Sequence, residues 1–324
     1  MSPGKKSPFP DHGGRATWGD RIVELDVFAD AVSTAGRRLD ESQRRGERER
    51  WLEGVPDSTE VEGPYGRIVV FGGVYSNHYA LRALLDQTLA QQVDAVYCLG
   101  DLGGFGPHPE KVHPLLVEHD VRVIQGNYEQ SLAAGAADCN CGYTDPRDNH
   151  FAGLSYRYTE KNCSPEFKRW MGTLPQRRRV RVGGRQLLLI HGSPRQVNEF
   201  LFESTSAVNF LENSLDRERC DGLLCTHTGL HWHRVLPSGR DVVNVGVIGR
   251  PANDGSTHVW YVTITAAGRG LDVEFHALSY DHEALAGEMR GENLPAEFIE
   301  TIQTGWWTTC LEVLPARERE RSRF

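Results

Sequence analysis

From Gly66 onward, short apolar runs alternate with amphipathic segments, and this alternation limits the possible folds more than any other feature of the sequence. The periodicity predicts strands and intervening helices in the order strand 67–71, helix 77–91, strand 94–99, helix 108–119 and strand 121–125. Such an order implies parallel strands joined by right-handed crossovers. We therefore expect an α/β domain built on parallel strands.

The second half of the chain continues with buried strands at 186–190 and 221–226 and then changes to hairpins. The stretch RVLPSGRDVVNVGVIG predicts a hairpin that turns at Pro-Ser-Gly, and HVWYVTIT and LDVEFHAL predict two further strands around a glycine-rich turn. Helices are expected near 281–290 and 295–304. These patterns divide the chain into a polar helical N-terminal extension over 1–65, a central domain over 66–280 and a C-terminal helical tail over 281–324.

Composition excludes several classes of protein. A formal net charge of −8 argues against non-specific nucleic-acid binding, and no apolar run approaches the roughly 20 residues that span a bilayer. The N-terminus has lysines but no apolar segment of a signal peptide, although Arg21 to Leu39 has the spacing of an amphipathic helix. Seven cysteines in a chain of this length indicate reduced thiols and a cytoplasmic protein.

Each parallel-type strand ends in a polar segment that contains glycine or threonine. These segments are GDLGGFGP, GNYE, HGSPR and THTG, and they carry Asp101, Asn127, His191 and His227. We expect these four side chains to converge on one edge of one sheet. One carboxylate, one amide oxygen and two imidazoles suit a divalent transition metal such as Mn, Fe or Zn.

The order of these motifs, followed by VVNVGVIGRP, resembles the calcineurin-like metallophosphoesterases, in particular their small bacterial phosphodiesterase-type branch. The resemblance covers roughly residues 66 to 280, and the YDHEAL and NLPAEF segments resemble the tail of that branch. It implies a sandwich of two mixed β-sheets flanked by helices, with a two-metal site along one edge. It also implies that Asp101, Asn127, His191 and His227 are the ligands of the second metal.

The ligands of the first metal are missing. By the same resemblance, the aspartate and histidine of the first loop fall on Gly73 and Tyr75, and the last histidine falls on Gly229. The histidine of the third motif, which in the family assists the reaction, falls on Tyr128. We expect that placing Asp and His back at these positions would restore the usual activity if the backbone follows the family.

These features lead to a metal-dependent, phosphoesterase-like hydrolase of a small phosphorylated substrate, with an altered centre of one or two metal ions per chain. Tyr75, Tyr128 and Arg195 are the catalytic candidates. Cys139, Cys141 and His231 are further metal-ligand candidates. Two alternatives stay open at this point: a catalytically weak binding protein on the same scaffold, and a metalloenzyme repurposed around the two cysteines. The sequence does not define the oligomeric state.

Overall fold

The computed structural model describes residues 60–321. The predicted helix from Arg21 to Leu39 and most of the predicted N-terminal extension lie outside this range. Among the described residues, no helix has both the length and the apolar character needed to span a membrane.

The described chain alternates strands and helices as expected. The strands are β1 (Val61–Tyr65), β2 (Arg67–Phe71), β3 (Ala95–Cys98), β4 (Arg122–Val123), β5 (Arg178–Val182), β6 (Arg185–Leu189), β7 (Gly222–Cys225), β8 (His231–Val235), β9 (Asp241–Val245), β10 (Val259–Ala267) and β11 (Gly270–Leu278). The α-helices are α1 (His78–Ala90), α2 (Val112–Glu118), α3 (Asn127–Ala134), α4 (Pro146–Lys161), α5 (Pro165–Thr173), α6 (Val208–Glu218), α7 (His282–Gly291), α8 (Ala296–Thr304) and α9 (Ala316–Arg321). A 3₁₀ turn (Pro109–Lys111) leads into α2.

Several helices begin at residues whose side chains cap the first turn. Asn77 accepts a hydrogen bond from the backbone N–H of Ala80 at the start of α1. Asp145 and Ser164 cap α4 and α5 in the same way, and a proline follows each of them at the first helical position. Short polar caps and proline at this position are sequence signals for a helix start, which explains why the helix boundaries follow the sequence pattern closely.

The strands form two mixed sheets, which confirms the predicted fold class. The first sheet has the order β1-β5-β6-β7-β9-β8, and the second has the order β11-β10-β2-β3-β4. Strands β2, β3 and β4 are parallel, as are β6, β7 and β9. The predicted hairpins β8–β9 and β10–β11 are antiparallel pairs.

Strand β1 was not expected, because Val61–Tyr65 falls within the predicted N-terminal extension. It pairs with β5 in parallel, with Val61 opposite Arg179. The first sheet therefore includes a segment that the sequence analysis assigned to the N-terminal extension. The Gly-Pro within β1 and the three arginines of β5 hide the usual apolar alternation of a strand.

The core lies between the sheets and extends under the helices. In β2, Ile68 and Val70 belong to the inter-sheet cluster that also contains Leu187 of β6. Their neighbours Val69 and Phe71 belong to the cluster that packs under the helices. Because successive side chains of a strand point to opposite faces, β2 is buried on both sides, as expected for a central parallel strand.

The C-terminal helices pack on the central domain. Phe298 of α8 stacks at 4.6 Å from Phe105 and 5.8 Å from Phe151, measured between ring centroids. Leu285 and Met289 of α7 join the same cluster. Since Phe105 follows the Asp101 loop, the tail forms one wall behind the strand ends.

Replacing Phe298 with Ala should destabilise the whole domain by roughly 3 to 5 kcal/mol, because the buried ring leaves a cavity. Leu89→Ala on α1 is the control, since Leu89 is 72% exposed and its truncation should change stability by less than about 0.5 kcal/mol. Urea unfolding followed by fluorescence measures both. An unchanged midpoint for Phe298→Ala would show that the tail does not share the cooperative core.

Candidate metal centre and its pocket

The candidate ligands lie where strand ends of both sheets meet. Asp101 follows β3 and Asn127 begins α3 after β4, so both come from the second sheet. His191 follows β6 and His227 follows β7, so both come from the first sheet. The expectation that all four lie on one sheet is therefore wrong. The parallel strands of each sheet contribute two ligands, and the site bridges the sandwich.

Three of the ligands form a compact buried cluster. One donor atom each of Asp101, His191 and His227 lies within 4.8 Å of the others. The Nε2 atom of His191 is 3.2 Å from Oδ2 of Asp101 and 3.0 Å from Nδ1 of His227. Its Nδ1 atom lies 2.6 Å from the carbonyl oxygen of Leu99. A proton on Nδ1 is donated to that carbonyl, which directs the other ring nitrogen of His191 into the cluster as a potential ligand.

The charges in this cluster depend strongly on one another. Burial alone would raise the pKa of Asp101, but the neighbouring His191 and His227 lower it below its ordinary value. Burial alone would lower the pKa of His191, but Asp101 raises it above the ordinary value. Burial and the charge of His191 lower the pKa of His227 to about 3. His227 is therefore neutral at neutral pH, which is the form that binds a metal.

Asn127 supplies a fourth potential donor. Its side chain is buried, and its Nδ2 donates a hydrogen bond of 2.8 Å to the carbonyl of Cys139. Its Oδ1 is buried and has no hydrogen-bond partner within the described residues. The residues on either side of Asn127 both lie close to Asp101. The backbone N–H of Tyr128 donates to Oδ1 of Asp101, and a Cβ on Gly126 would lie 2.4 Å from the same oxygen.

A buried amide oxygen without a partner is energetically costly, so it indicates a missing ligand. The Nε2 atom of His227 is likewise buried without a hydrogen-bond partner in the part of the chain described. Both orphaned atoms belong to residues of the expected donor set. The residues present therefore fit one divalent transition metal with oxygen and nitrogen ligands.

Glu129 is a site residue that the sequence analysis did not single out. Its carboxylate accepts the backbone N–H groups of Asp101 at 2.8 Å, Leu102 at 2.8 Å and Gly126 at 2.7 Å. It thereby ties the loop after β3 to the start of α3. The sequence signal was present, because a glutamate three residues after the N-cap Gly126 is the acidic member of a capping box.

The positions of the missing first-metal ligands are closed to larger side chains. A Cβ on Gly73 would lie 2.4 Å from Cγ1 of Val247, and a Cβ on Gly229 would lie 2.8 Å from Cη2 of Trp307. Both glycines also have positive φ values, of 41° and 80°. That Asp and His placed back at these positions would raise the activity stays a prediction, and it requires neighbouring side chains such as Val247 and Trp307 to move out of the space that larger residues need.

Tyr75 and Tyr128 line the same pocket as Asp101 and His227, as predicted for the reactive face. Burial raises the pKa of both phenols well above the ordinary value, so both are neutral hydrogen-bonding groups. The hydroxyl of Tyr128 is 2.8 Å from Oγ of Ser155. The pocket has a volume of about 50 Å³ and holds about four water-sized groups.

Two predicted residues lie elsewhere. Arg195 forms an ion pair with Glu199 and lies over Phe210, 4.3 Å from its ring centroid, and it does not line the pocket. His231 packs its ring 4.2 Å from that of Trp260, outside the three-residue cluster. Both positions differ from the prediction because the sequence neighbourhood of a ligand does not determine where a long side chain or a strand residue points.

Cys139 and Cys141 form a disulfide, which differs from the reduced thiols expected for all seven cysteines. In this form neither sulfur is a thiolate, so neither can act as the predicted metal ligand. The pair still lies beside the site, because Sγ of Cys141 is 3.4 Å from Nδ2 of Asn127. The other five cysteines are free and buried.

A comparison of the stability losses in Gly229→Ala and Gly239→Ala tests whether the space for a first-metal ligand is closed at Gly229. Both glycines have similar left-handed φ values of 80° and 76°, but a Cβ on Gly239 would have nothing within 4 Å. Each substitution should cost about 1 to 2 kcal/mol through backbone strain. Gly229→Ala should cost roughly 1 to 3 kcal/mol more, through the collision with Trp307. Equal losses in urea unfolding would mean that Trp307 moves aside readily and that the space is open.

Comparisons with known proteins identify the family and the fold. Residues 67–267, more than half of the chain, match the model of the calcineurin-like phosphoesterase superfamily domain. An uncharacterized protein of Methanocaldococcus jannaschii, MJ0912, is 23% identical over 137 residues, which are 42% of this chain and 54% of that protein. The match thus spans about half the length of this curated relative.

Two crystal structures show the same fold. A metallophosphoesterase from Sphaerobacter thermophilus is 22% identical, with a TM-score of 0.57 over 74% of this chain and 99% of that chain. The hypothetical protein PH1004 from Pyrococcus horikoshii OT3 is also 22% identical, with a TM-score of 0.62 over 75% of this chain and 99% of that chain. With the family model matched across most of the central domain, the chain belongs to the calcineurin-like phosphoesterase superfamily.

Proposed function

We propose that the protein is a metal-dependent, phosphoesterase-like hydrolase that acts on a small phosphoester with one metal ion per chain. The observation that carries this proposal is the contrast between the two halves of the site. On one side, Asp101, His191 and His227 cluster and Asn127 has an unpartnered amide oxygen, whereas the opposite side is closed at Gly73 and Gly229.

The four residues would hold one Mn, Fe or Zn ion through one carboxylate oxygen, one amide oxygen and two imidazole nitrogens. A bound metal of this kind supplies Lewis-acid polarisation of a phosphoryl oxygen and lowers the pKa of a bound water. Glu129 contributes indirectly, because its three backbone hydrogen bonds keep the Asp101 and Asn127 loops in register.

The tyrosines of the pocket would stabilise the phosphoryl group by hydrogen bonding. Both phenols stay protonated because burial raises their pKa, so they serve as donors and not as bases. Ser155 Oγ accepts the N–H of Phe105 at 2.7 Å and can donate its own proton to Tyr128. That arrangement leaves the Tyr128 O–H free to donate to a developing negative charge in the ligand.

Metal content is the direct test. Protein purified anaerobically from medium that contains Mn, Fe and Zn should hold about one equivalent of transition metal per chain. His227→Ala should lose most of it, because one of four protein donors is removed. His233→Ala is the control, since His233 lies on β8 and bonds Asp241 at 2.9 Å. Two equivalents in the wild type would show a rebuilt first site, and none would remove the basis for metal-dependent catalysis.

Hydrolysis of 4-nitrophenyl phosphate and bis(4-nitrophenyl) phosphate tests the activity itself. We expect slow turnover that depends on the metal, is abolished in His227→Ala and falls roughly a hundredfold in Tyr128→Phe, because an oxyanion donor is lost. Turnover that survives chelation would contradict the proposal. A fully metal-loaded protein without turnover on a range of phosphoesters would indicate a binding protein instead.

A further inference from the structure

The pocket contains a buried cation that the metal-centre prediction did not include. Arg250 follows β9 in the VGVIGRP loop and is only 6% exposed. Its guanidinium carbon lies 3.6 Å from the ring centroid of Trp307 and about 6 Å from those of Tyr75 and Phe105 (5.9 Å and 5.8 Å). It lines the same pocket as Asp101 and His227.

This arginine has no aspartate or glutamate as an ion-pair partner among residues 60–321. The side chains that interact with it electrostatically are Cys310, which also forms a hydrogen bond with it, Tyr75 and Tyr143. Its Nε is buried without a hydrogen-bond partner in the same part of the chain. A guanidinium is always charged, and a buried charge is costly unless an anion compensates it. Burial lowers the pKa of Arg250, whereas Cys310, Tyr75 and Tyr143 beside it raise it. No carboxylate among residues 60–321 compensates its charge, so the pocket suits an anionic ligand.

The guanidinium lies on the side of the pocket that corresponds to the missing first metal. A Cβ on Gly229 would lie 3.1 Å from Nη2 of Arg250, and the ring of Tyr75 lies next to the same group. Both positions correspond, by the family resemblance, to histidine ligands of that metal. The guanidinium of Arg250 therefore lies beside the two positions, Tyr75 and Gly229, that correspond to metal ligands in the family.

We propose that Arg250 is the anchor for a phosphoryl group, in the role that a second cation would otherwise fill. This inference rests on the proposed function, because it places the phosphoryl group between the metal ligands and the guanidinium. A guanidinium binds two oxygens of a phosphoryl group in parallel, which suits the phosphoryl end of a ligand in this pocket. Tyr75 and Tyr128 line the same pocket as Arg250.

The competing explanation is that Arg250 only fills space by stacking on Trp307. Two substitutions separate the explanations. Arg250→Met keeps much of the length and the apolar contact with the ring but removes the charge. Arg250→Lys keeps the charge but cannot donate two parallel hydrogen bonds. If Arg250 only fills space, Arg250→Met should leave the affinity for phosphate unchanged. If Arg250 is an anchor, both substitutions should lower that affinity, and Arg250→Met should lower it more.

The experiment is calorimetric titration of inorganic phosphate at constant ionic strength, into metal-free protein and into metal-loaded protein. We expect phosphate to bind the metal-free wild type, and Arg250→Met to weaken that binding about tenfold or more. Arg250→Lys should fall between the two. Arg234→Met is the matched control, because Arg234 also lies over a tryptophan, at 5.6 Å from the ring centroid of Trp232, but outside the pocket.

The two titrations separate this inference from the proposed function. Equal phosphate affinity in the wild type and Arg250→Met, with both folded and both metal states measured, would overturn the anchor role while leaving the metal-centre proposal intact. Phosphate binding that depends on Arg250 in a protein that never retains metal would support the anchor and contradict the metal-dependent hydrolase. Acetate that binds more tightly than phosphate would overturn the choice of a phosphoryl ligand.

Discussion

The site depends on the hydrogen bonds that Glu129 accepts from three backbone N–H groups. These bonds join the loop after β3 to the start of α3, so the carboxylate of Asp101 and the amide of Asn127 are positioned by one residue. Burial raises the pKa of Glu129, and the nearby Asp101 raises it further, while the three N–H groups oppose this shift. The positions of the two candidate ligands from the second sheet, Asp101 and Asn127, therefore depend on this one buried hydrogen-bond network.

The replacement of a metal site by a guanidinium, if Arg250 acts as an anchor, changes what the pocket can do. A metal ion can both bind a phosphoryl oxygen and activate a water, whereas a guanidinium can only donate hydrogen bonds and charge. Activation of a nucleophile would then depend entirely on the ion held by Asp101, Asn127, His191 and His227. The closed positions at Gly73 and Gly229 agree with this division, because Val247 and Trp307 occupy the space that the lost ligands would need.

Much of the fold could be predicted because the local signals agree with the tertiary structure. Apolar strands, capping residues and glycine turns mark β2, β3, β6 and β7, and the candidate metal ligands follow the ends of β3, β4, β6 and β7. Strands β1 and β5 could not be found in the same way, since their pairing with each other is non-local and their arginines and Gly-Pro obscure the pattern. The four candidate metal ligands could be predicted from their places at strand ends, their donor chemistry and the motif order, although their contribution by two sheets could not.

The surroundings of Arg250 could not be predicted from the sequence, because its neighbours come from distant parts of the chain. Trp307 and Cys310 belong to the C-terminal tail, while Tyr75 follows β2, and no local pattern links these segments. The isolated cysteine and tryptophan in the tail look like core residues in the sequence. Only the three-dimensional arrangement shows that a buried guanidinium lies beside them, with no ion-paired acid among residues 60–321.

The charges of the metal ion and of Arg250 in the proposed site determine which charge the ligand should carry. A divalent ion with Asp101 as its one carboxylate ligand keeps a net charge of about +1, and the guanidinium adds another positive charge. The pocket walls between them carry neutral tyrosines and phenylalanines, with no acid other than Asp101 lining the pocket in the described residues. A dianionic phosphoryl group neutralises such a pair of cations, whereas a monoanion leaves one charge uncompensated in a buried space. With a neutral water on the ion, the electrostatics of the proposed site thus favour a terminal phosphoryl group, whereas a hydroxide on the ion removes one positive charge and makes the monoanionic phosphate of a diester the matching ligand.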